Sequence, residues 1–247
     1  MRIAVLSDIH GNLPALESVL ADARRQGCDR LVNLGDILSG PLWPRQTLEC
    51  LQALDLPTIA GNHERQLLGD PAGLAPSDAH ARQALDPAQL DWLAALPPLL
   101  RLGELLLCHG TPGSDLDYLL DDLDADGGLA AASTGAVAAR LRHPLADGAR
   151  AIACGHSHTP RSLVLEDGRL VLNPGSVGLP AFFTAHPRPH RAGTGSPHAR
   201  YAVLEHGAGG WQVHPRAVDY PFEQAARRAQ ALGRPDWAHA LRHGSMP

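Results

Sequence analysis

The stretch Arg2-Ile3-Ala4-Val5-Leu6-Ser7-Asp8-Ile9-His10-Gly11-Asn12 decides the fold of this chain. Its apolar run, Ile3 to Leu6, reads as a short buried strand that ends in a carboxylate and an imidazole. Asn12 can then cap a helix with Pro14 in its first turn and Gly27 at its end. Leu13, Leu16, Val19, Leu20 and Ala23 recur at helical spacing and line one face. Arg30 to Leu34 reads as a second strand, Pro44 to Leu54 as a second helix and Thr58 to Ala60 as a third strand. This βαβαβ order calls for a parallel sheet.

Beyond it the pattern changes. Ser77 to Leu85 reads as a helix, and Asp86-Pro87 caps another that runs to about Leu96 and stops at Pro97-Pro98. Leu99 to Leu102 and Glu104 to Cys108 form a hairpin. Residues 113–128 are acidic and read as a solvated loop, because their spacing does not match a calcium-binding loop. Ala130 to Arg142 reads as a helix and Ala149 to Cys154 as a strand. Asp167-Gly168 marks a tight hairpin between Ser162–Glu166 and Arg169–Leu172. Residues 185–199, rich in Pro, Gly, Arg and His, read as a mobile loop. Tyr201–Glu205 and Trp211–Val218 form a last hairpin, followed by helical segments broken at Gly233. Parallel units first and antiparallel strands last suit two sheets packed face to face with helices outside each. Residues 1–220 are expected to form one domain, with 221–247 a helical extension packed on it.

Composition sets the function classes. The chain has 247 residues, 44% apolar and 19% charged, with only 4% aromatic, so Ala and Leu must carry much of its core. A net charge of −5 offers no global attraction to nucleic-acid polymers or membranes, and a charged substrate must be drawn in locally. Cys28, Cys50, Cys108 and Cys154 include no close pair, which argues against a thiolate zinc site. No signal peptide or apolar run of membrane-spanning length is visible, so the cytoplasm is the expected location.

Five short motifs follow apolar runs in order: Asp8-Ile9-His10, Gly35-Asp36, Gly61-Asn62-His63-Glu64, His109-Gly110 and Gly155-His156-Ser157-His158. Strand ends are where open sheets place ligands. Asp8 and His10 can turn toward one metal ion. Asp36 has two carboxylate oxygens and can bridge two ions. Asn62 offers a neutral amide oxygen to the second ion, and His109 with His156 or His158 completes the shells. Nitrogen and oxygen donors without thiolate suit Mn, Fe, Zn, Co or Ni. Two divalent transition-metal ions at one site are the chemistry of phosphoester hydrolysis. Asn12, Arg188 and Arg191 are further candidates for phosphate contact, Asn12 beside its capping role.

This motif set resembles the calcineurin-like metallophosphoesterase superfamily, in its small bacterial and archaeal phosphodiesterase-like branch. The resemblance spans Met1 to about Val177 and includes Asn173-Pro174-Gly175-Ser176-Val177. It implies an α/β fold, a four-layer αββα sandwich of two mixed sheets flanked by helices. It further implies Asp8, His10, Asp36 and His158 around one metal, and Asp36, Asn62, His109 and His156 around the other, with Asp36 bridging. His63 is implied as the catalytic, non-ligand histidine. Several small members have Cys at that position, so His63 places a proton donor where they have none. The expected activity is a phosphodiesterase or phosphatase on a small phosphorylated substrate, with a metal-bridging hydroxide as nucleophile and His63 as general acid. Alternatives are a nucleotide or dinucleoside polyphosphate hydrolase, a phosphoprotein phosphatase, or a non-catalytic binding scaffold of the same fold.

Overall fold

A computed structural model describes residues 1–247. Strand β1 (Arg2–Leu6) leads into helix α1 (Leu13–Arg25), where the Asn12 side chain accepts the Ala15 N–H at 3.3 Å and Pro14 lies in the first turn. Strand β2 (Arg30–Asn33) returns parallel to β1, with Val5 opposite Val32. After α2 (Pro44–Leu54) the expected third strand shrinks to one parallel bridge between Asn33 and Thr58. It cannot lengthen, because Gly61 already caps α3 (Asn62–Leu67). Helices α4 (Pro76–Gln83) and α5 (Pro87–Ala94) follow, α5 opening on a reciprocal capping box between Asp86 and Gln89.

Strands β3 (Leu99–Leu102) and β4 (Leu105–Cys108) form the expected hairpin. The acidic run, by contrast, contributes a strand. β5 (Asp121–Leu123) pairs with β6 (Leu129–Ala131), and Asp121 is buried against Ser157 and Arg161. Helix α6 (Thr134–Arg140) therefore starts later than expected, where the Ser133 hydroxyl accepts the Ala136 N–H. Strand β7 (Ala151–Ala153) and the hairpin of β8 (Arg161–Val164) and β9 (Leu170–Asn173) come next.

The segment expected to be a mobile loop is partly strand. β10 (Ala181–Thr184) pairs with β11 (His190–Gly193), placing Phe183 opposite Arg191. His190 pins this hairpin. Its buried ring bonds the Tyr118 hydroxyl at 2.7 Å and the Arg188 carbonyl at 2.8 Å, interactions that composition alone does not reveal. The chain ends in β12 (Ala199–Gly207), β13 (Gly210–Val218), α7 (Phe222–Ala231) and α8 (Pro235–His243).

One sheet has the order β13-β12-β1-β2 and the other β3-β4-β7-β9-β8, and both mix parallel and antiparallel pairs. Period-two alternation builds the layers. Ile3, Val5, Ala202 and Leu204 point between the sheets and meet Leu105, Leu107, Ala151, Ala153, Leu170 and Leu172. Ala4, Leu6, Tyr201 and Val203 point outward onto α1, α2, α7 and α8. Leu106, Ile152 and Val171 point outward on the far side, onto Val137 of α6 and Leu141 at its C-cap. The result is helix, sheet, sheet, helix, the expected αββα sandwich. No helix is long and apolar enough to cross a membrane.

Candidate metal centre

The five motifs converge at one end of the sheets, and the backbone there is unusual. Six residues other than glycine have positive φ, and five of them are Asp8, His10, Asp36, His156 and His158. Left-handed backbone is uncommon outside glycine and concentrates at functional sites. Here it turns each side chain off its strand end toward a common point. Glycines make the room. A Cβ on Gly61 would lie 2.3 Å from Asp36 Oδ1, and one on Gly155 would lie 2.0 Å from Ser7 Oγ.

Two donor clusters result. Asp8, His10 and His158 form one, and Asp36, His109 and His156 the other. Within each, the donor atoms lie within 4.8 Å of one another. The tautomers are set from behind. His10 Nδ1 is 2.7 Å from the Ser39 carbonyl, His158 Nδ1 2.7 Å from that of Leu179, and His109 Nδ1 2.8 Å from that of Leu34. A nitrogen facing a carbonyl must donate, so in each neutral ring Nε2 carries the lone pair. Those lone pairs face other acceptors. His10 Nε2 and His158 Nε2 are 3.1 Å apart, and His109 Nε2 lies 3.1 Å from both Asn62 Oδ1 and Asp36 Oδ2. Asp8 Oδ1 is buried with no hydrogen-bond donor. His156 is turned the other way: its Nε2 meets the Leu116 carbonyl at 3.0 Å, which leaves Nδ1 as its free donor. Acceptors aimed at acceptors in a buried site repel one another unless a proton or a metal ion lies among them, and two clusters of imidazole and carboxylate donors fit two metal ions.

Without an ion a proton takes this place at His109: burial opposes its charge, but Asp36 overcomes it and raises the imidazole to about 10, so Nε2 then donates to the carboxylate. His10 moves oppositely, to about 4, through burial and the neighbouring His158. Asp36 is held well below its ordinary value despite burial, because His109 and His63 attract its charge.

His63 stands beside the clusters, its ring 5.5 Å from that of His10. Its Nδ1 is 2.9 Å from Oδ1 of Asp78, a buried residue on α4, and its backbone N–H donates to Asp36 Oδ1 at 2.9 Å. Burial disfavours its charge, but Asp36 and the Asp78 hydrogen bond prevail and raise it to about 9. Sequence reasoning missed Asp78, and no local motif marks it. It also gave Glu64 no role. That buried carboxylate accepts the N–H groups of Asp36, Ile37 and Gly61, each at 2.8 Å. The signal was available, since Gly61 and Glu64 have capping-box spacing.

Two candidate phosphate contacts lie elsewhere. Asn12 has spent its amide: Oδ1 caps α1, and Nδ2 donates to the Gly178 carbonyl and the Tyr220 hydroxyl. Arg188 donates to the carbonyls of Leu123 and Asp124, which hold it away from the cavity. Arg191 does line the cavity, a space of about 1030 Å³ above the donors.

Residues 1–191 match the calcineurin-like phosphoesterase superfamily domain, and the chain belongs to that superfamily. A metallophosphoesterase from Sphaerobacter thermophilus is similar over 98% of both chains, with 26% identity and a TM-score of 0.73. A hypothetical protein from Pyrococcus horikoshii OT3 shares the fold, with a TM-score of 0.77 at 20% identity over 100% of this chain and 99% of that one. An uncharacterized protein of Methanocaldococcus jannaschii is 28% identical over 209 residues, 72% of this chain and 76% of that protein. The protein is a metal-dependent phosphoesterase.

Proposed function

We propose that the chain hydrolyses small phosphoesters, as a phosphodiesterase or phosphatase, at a dinuclear site. Asp8, His10, Asp36 and His158 would hold one divalent ion, and Asp36, Asn62, His109 and His156 the other. The observation that carries this reading is the set of buried Nε2 atoms on His10, His158 and His109, each turned by a backbone carbonyl behind the ring toward the other atoms of its donor cluster. The donors are nitrogen and oxygen, which suits Mn, Fe, Zn, Co or Ni. Bound ions of this kind acidify water near neutral pH and offset charge on phosphoryl oxygens.

The chain's own residues supply the rest. Asp36 Oδ1 accepts the His63 N–H and Oδ2 faces His109 Nε2, so this carboxylate would contribute to both shells. Asp78 holds His63 Nδ1 and, with Asp36, favours the charged ring, whose Nε2–H faces the cavity and would protonate the departing oxygen. Arg191 makes no ion pair and is available to a phosphate, which Arg can grip with two hydrogen bonds. The test is a hydrolysis panel of monoesters, diesters and nucleotides, each supplemented in turn with Mn, Fe, Zn, Co and Ni. Turnover should require an added ion and should vanish with chelator. Turnover that survives exhaustive chelation would sink the dinuclear reading.

A further inference from the structure

Each of the four histidines in the two donor clusters is held from behind by a backbone carbonyl. Burial fixes three of those carbonyls. Ser39, Leu34 and Leu179, behind His10, His109 and His158, are each at most 5% exposed. The fourth differs. Leu116, which accepts the His156 Nε2–H at 3.0 Å, is 49% exposed and lies in the loop between β4 and β5. A carbonyl on a surface loop orients a ring only if something holds the loop.

Most bonds of this loop are internal. The Thr111 N–H donates to the Ser114 carbonyl at 2.8 Å, and the Ser114 hydroxyl accepts the N–H groups of Leu116 and Asp117. At the far end Tyr118 is tied down, its hydroxyl 2.7 Å from His190 Nε2. Residues 113–117 hydrogen-bond to other elements at two places only. One is the His156 contact itself. The other is Asp115, whose two oxygens accept the Nε–H and Nη2–H of Arg65 at 2.7 and 2.8 Å.

Arg65 belongs to α3, three residues after Asn62. The ion pair therefore joins the helix that supplies Asn62 to the loop that orients His156, and both are candidate donors to the same ion. Asp115 and Leu116 are adjacent, so fixing the carboxylate restrains the next carbonyl. The Arg65 side chain is 55% exposed, and an exposed ion pair adds little to overall stability. Its two-pronged geometry fixes direction.

We propose that Arg65 is a positioning residue: through Asp115 it holds the Leu116 carbonyl against His156, and so sets the affinity of the Asp36, Asn62, His109 and His156 site for its ion. This inference rests on the dinuclear reading. It adds a difference between the two sites, since the shell of Asp8, His10, Asp36 and His158 needs no such clamp.

Calorimetric titration of metal-free protein with Mn resolves the two binding steps. Arg65→Ala should weaken one step about 10-fold, the low end of the loss when a partner behind a metal ligand is disturbed, and leave the other within about twofold. Asp115→Ala should do the same. The double variant should lose no more than either single one, because each breaks the same pair. Arg65→Lys keeps the charge without the fork and should recover part of the loss. Tm of the metal-free variants should stay within a few degrees of wild type, as expected for an exposed pair. NMR of the histidine ring N–H groups in metal-free protein reads the link itself: the His156 Nε2–H should exchange with water faster in Arg65→Ala. Equal loss at both steps, no loss at either, additive losses in the double variant, or unchanged exchange at His156 would each overturn the role of Arg65. Wild-type protein that takes up a single ion would instead overturn the dinuclear reading.

Discussion

Asp78 reaches His63 from behind and leaves the opposite ring nitrogen free, so the pair carries the first prediction. His63→Ala should lower kcat by roughly 10²–10⁴-fold, the span of general acid–base groups, with metal content unchanged. Joint loss of ions and rate would reassign His63 as a ligand. Asp78→Asn tests the positioning role separately. In metal-free protein the His63 ring should titrate near pH 9, and the Asn variant should titrate lower, because one of the groups favouring the charged ring is gone. Titration by NMR reads this directly, and an unshifted ring would remove Asp78 from the account. The two arginines of the β10–β11 hairpin should also behave differently. Arg191→Ala should raise KM about 10-fold with little change in kcat, as expected for uniform binding of a phosphate, whereas Arg188→Ala should leave KM near wild type. Equal effects would mean that the carbonyl contacts of Arg188 do not hold it away in solution.

At the scale of elements, Glu64 joins the end of β2 to the start of α3. Its carboxylate takes three buried N–H groups that frame Asp36. Glu64→Ala leaves all three without a partner, each a loss of about 1–3 kcal/mol in a buried site. The variant should therefore unfold at lower denaturant and bind fewer than two ions, while Glu64→Gln should retain more of both. Normal stability in Glu64→Ala would show that water replaces the carboxylate. The positions that converge at the centre were legible because each follows an apolar run, and strand ends deliver their side chains to one rim. Asp78 was not legible, because it enters through α4 and only tertiary packing brings it to His63. The β10–β11 hairpin was missed for a related reason. Its Pro and Gly content signals a loop, but the bond between the buried His190 ring and Tyr118 overrides that local preference.

At the scale of the whole molecule, the superfamily match ends at residue 191, yet the sheet does not. β12 lies between β13 and β1, and Tyr201 within it donates its hydroxyl to Asp22 of α1 at 2.7 Å. Arg216 of β13 and Arg25 close on the same carboxylate. Burial would raise Asp22, but these hydrogen bonds lower it below its ordinary 3.8. A depressed carboxylate contributes stability that is present above the unfolded value and lost as pH falls through the folded one. Asp22→Asn should therefore destabilise the protein at pH 7 by about 1–3 kcal/mol, and the difference from wild type should shrink below pH 3.8. Denaturant titrations at several pH values check this. A difference independent of pH would mean that shape, not charge, ties β12 and β13 to α1.

The left-handed turns at the candidate ligands have a consequence for how this architecture can change over time. Asp, Asn and His tolerate that backbone, while β-branched residues resist it. Asp36→Asn keeps the turn and removes a charge, so it should cut ion occupancy while Tm of the chelated protein stays within a few degrees. Asp36→Val should lower that Tm by roughly 5 °C or more, because strain adds to the lost hydrogen bond. Loss of chemistry and loss of shape are thus separable by single substitutions at the same position. A lineage drifting through Asn at these sites would reach an inert but well-formed body, already suited to selection for recognition alone.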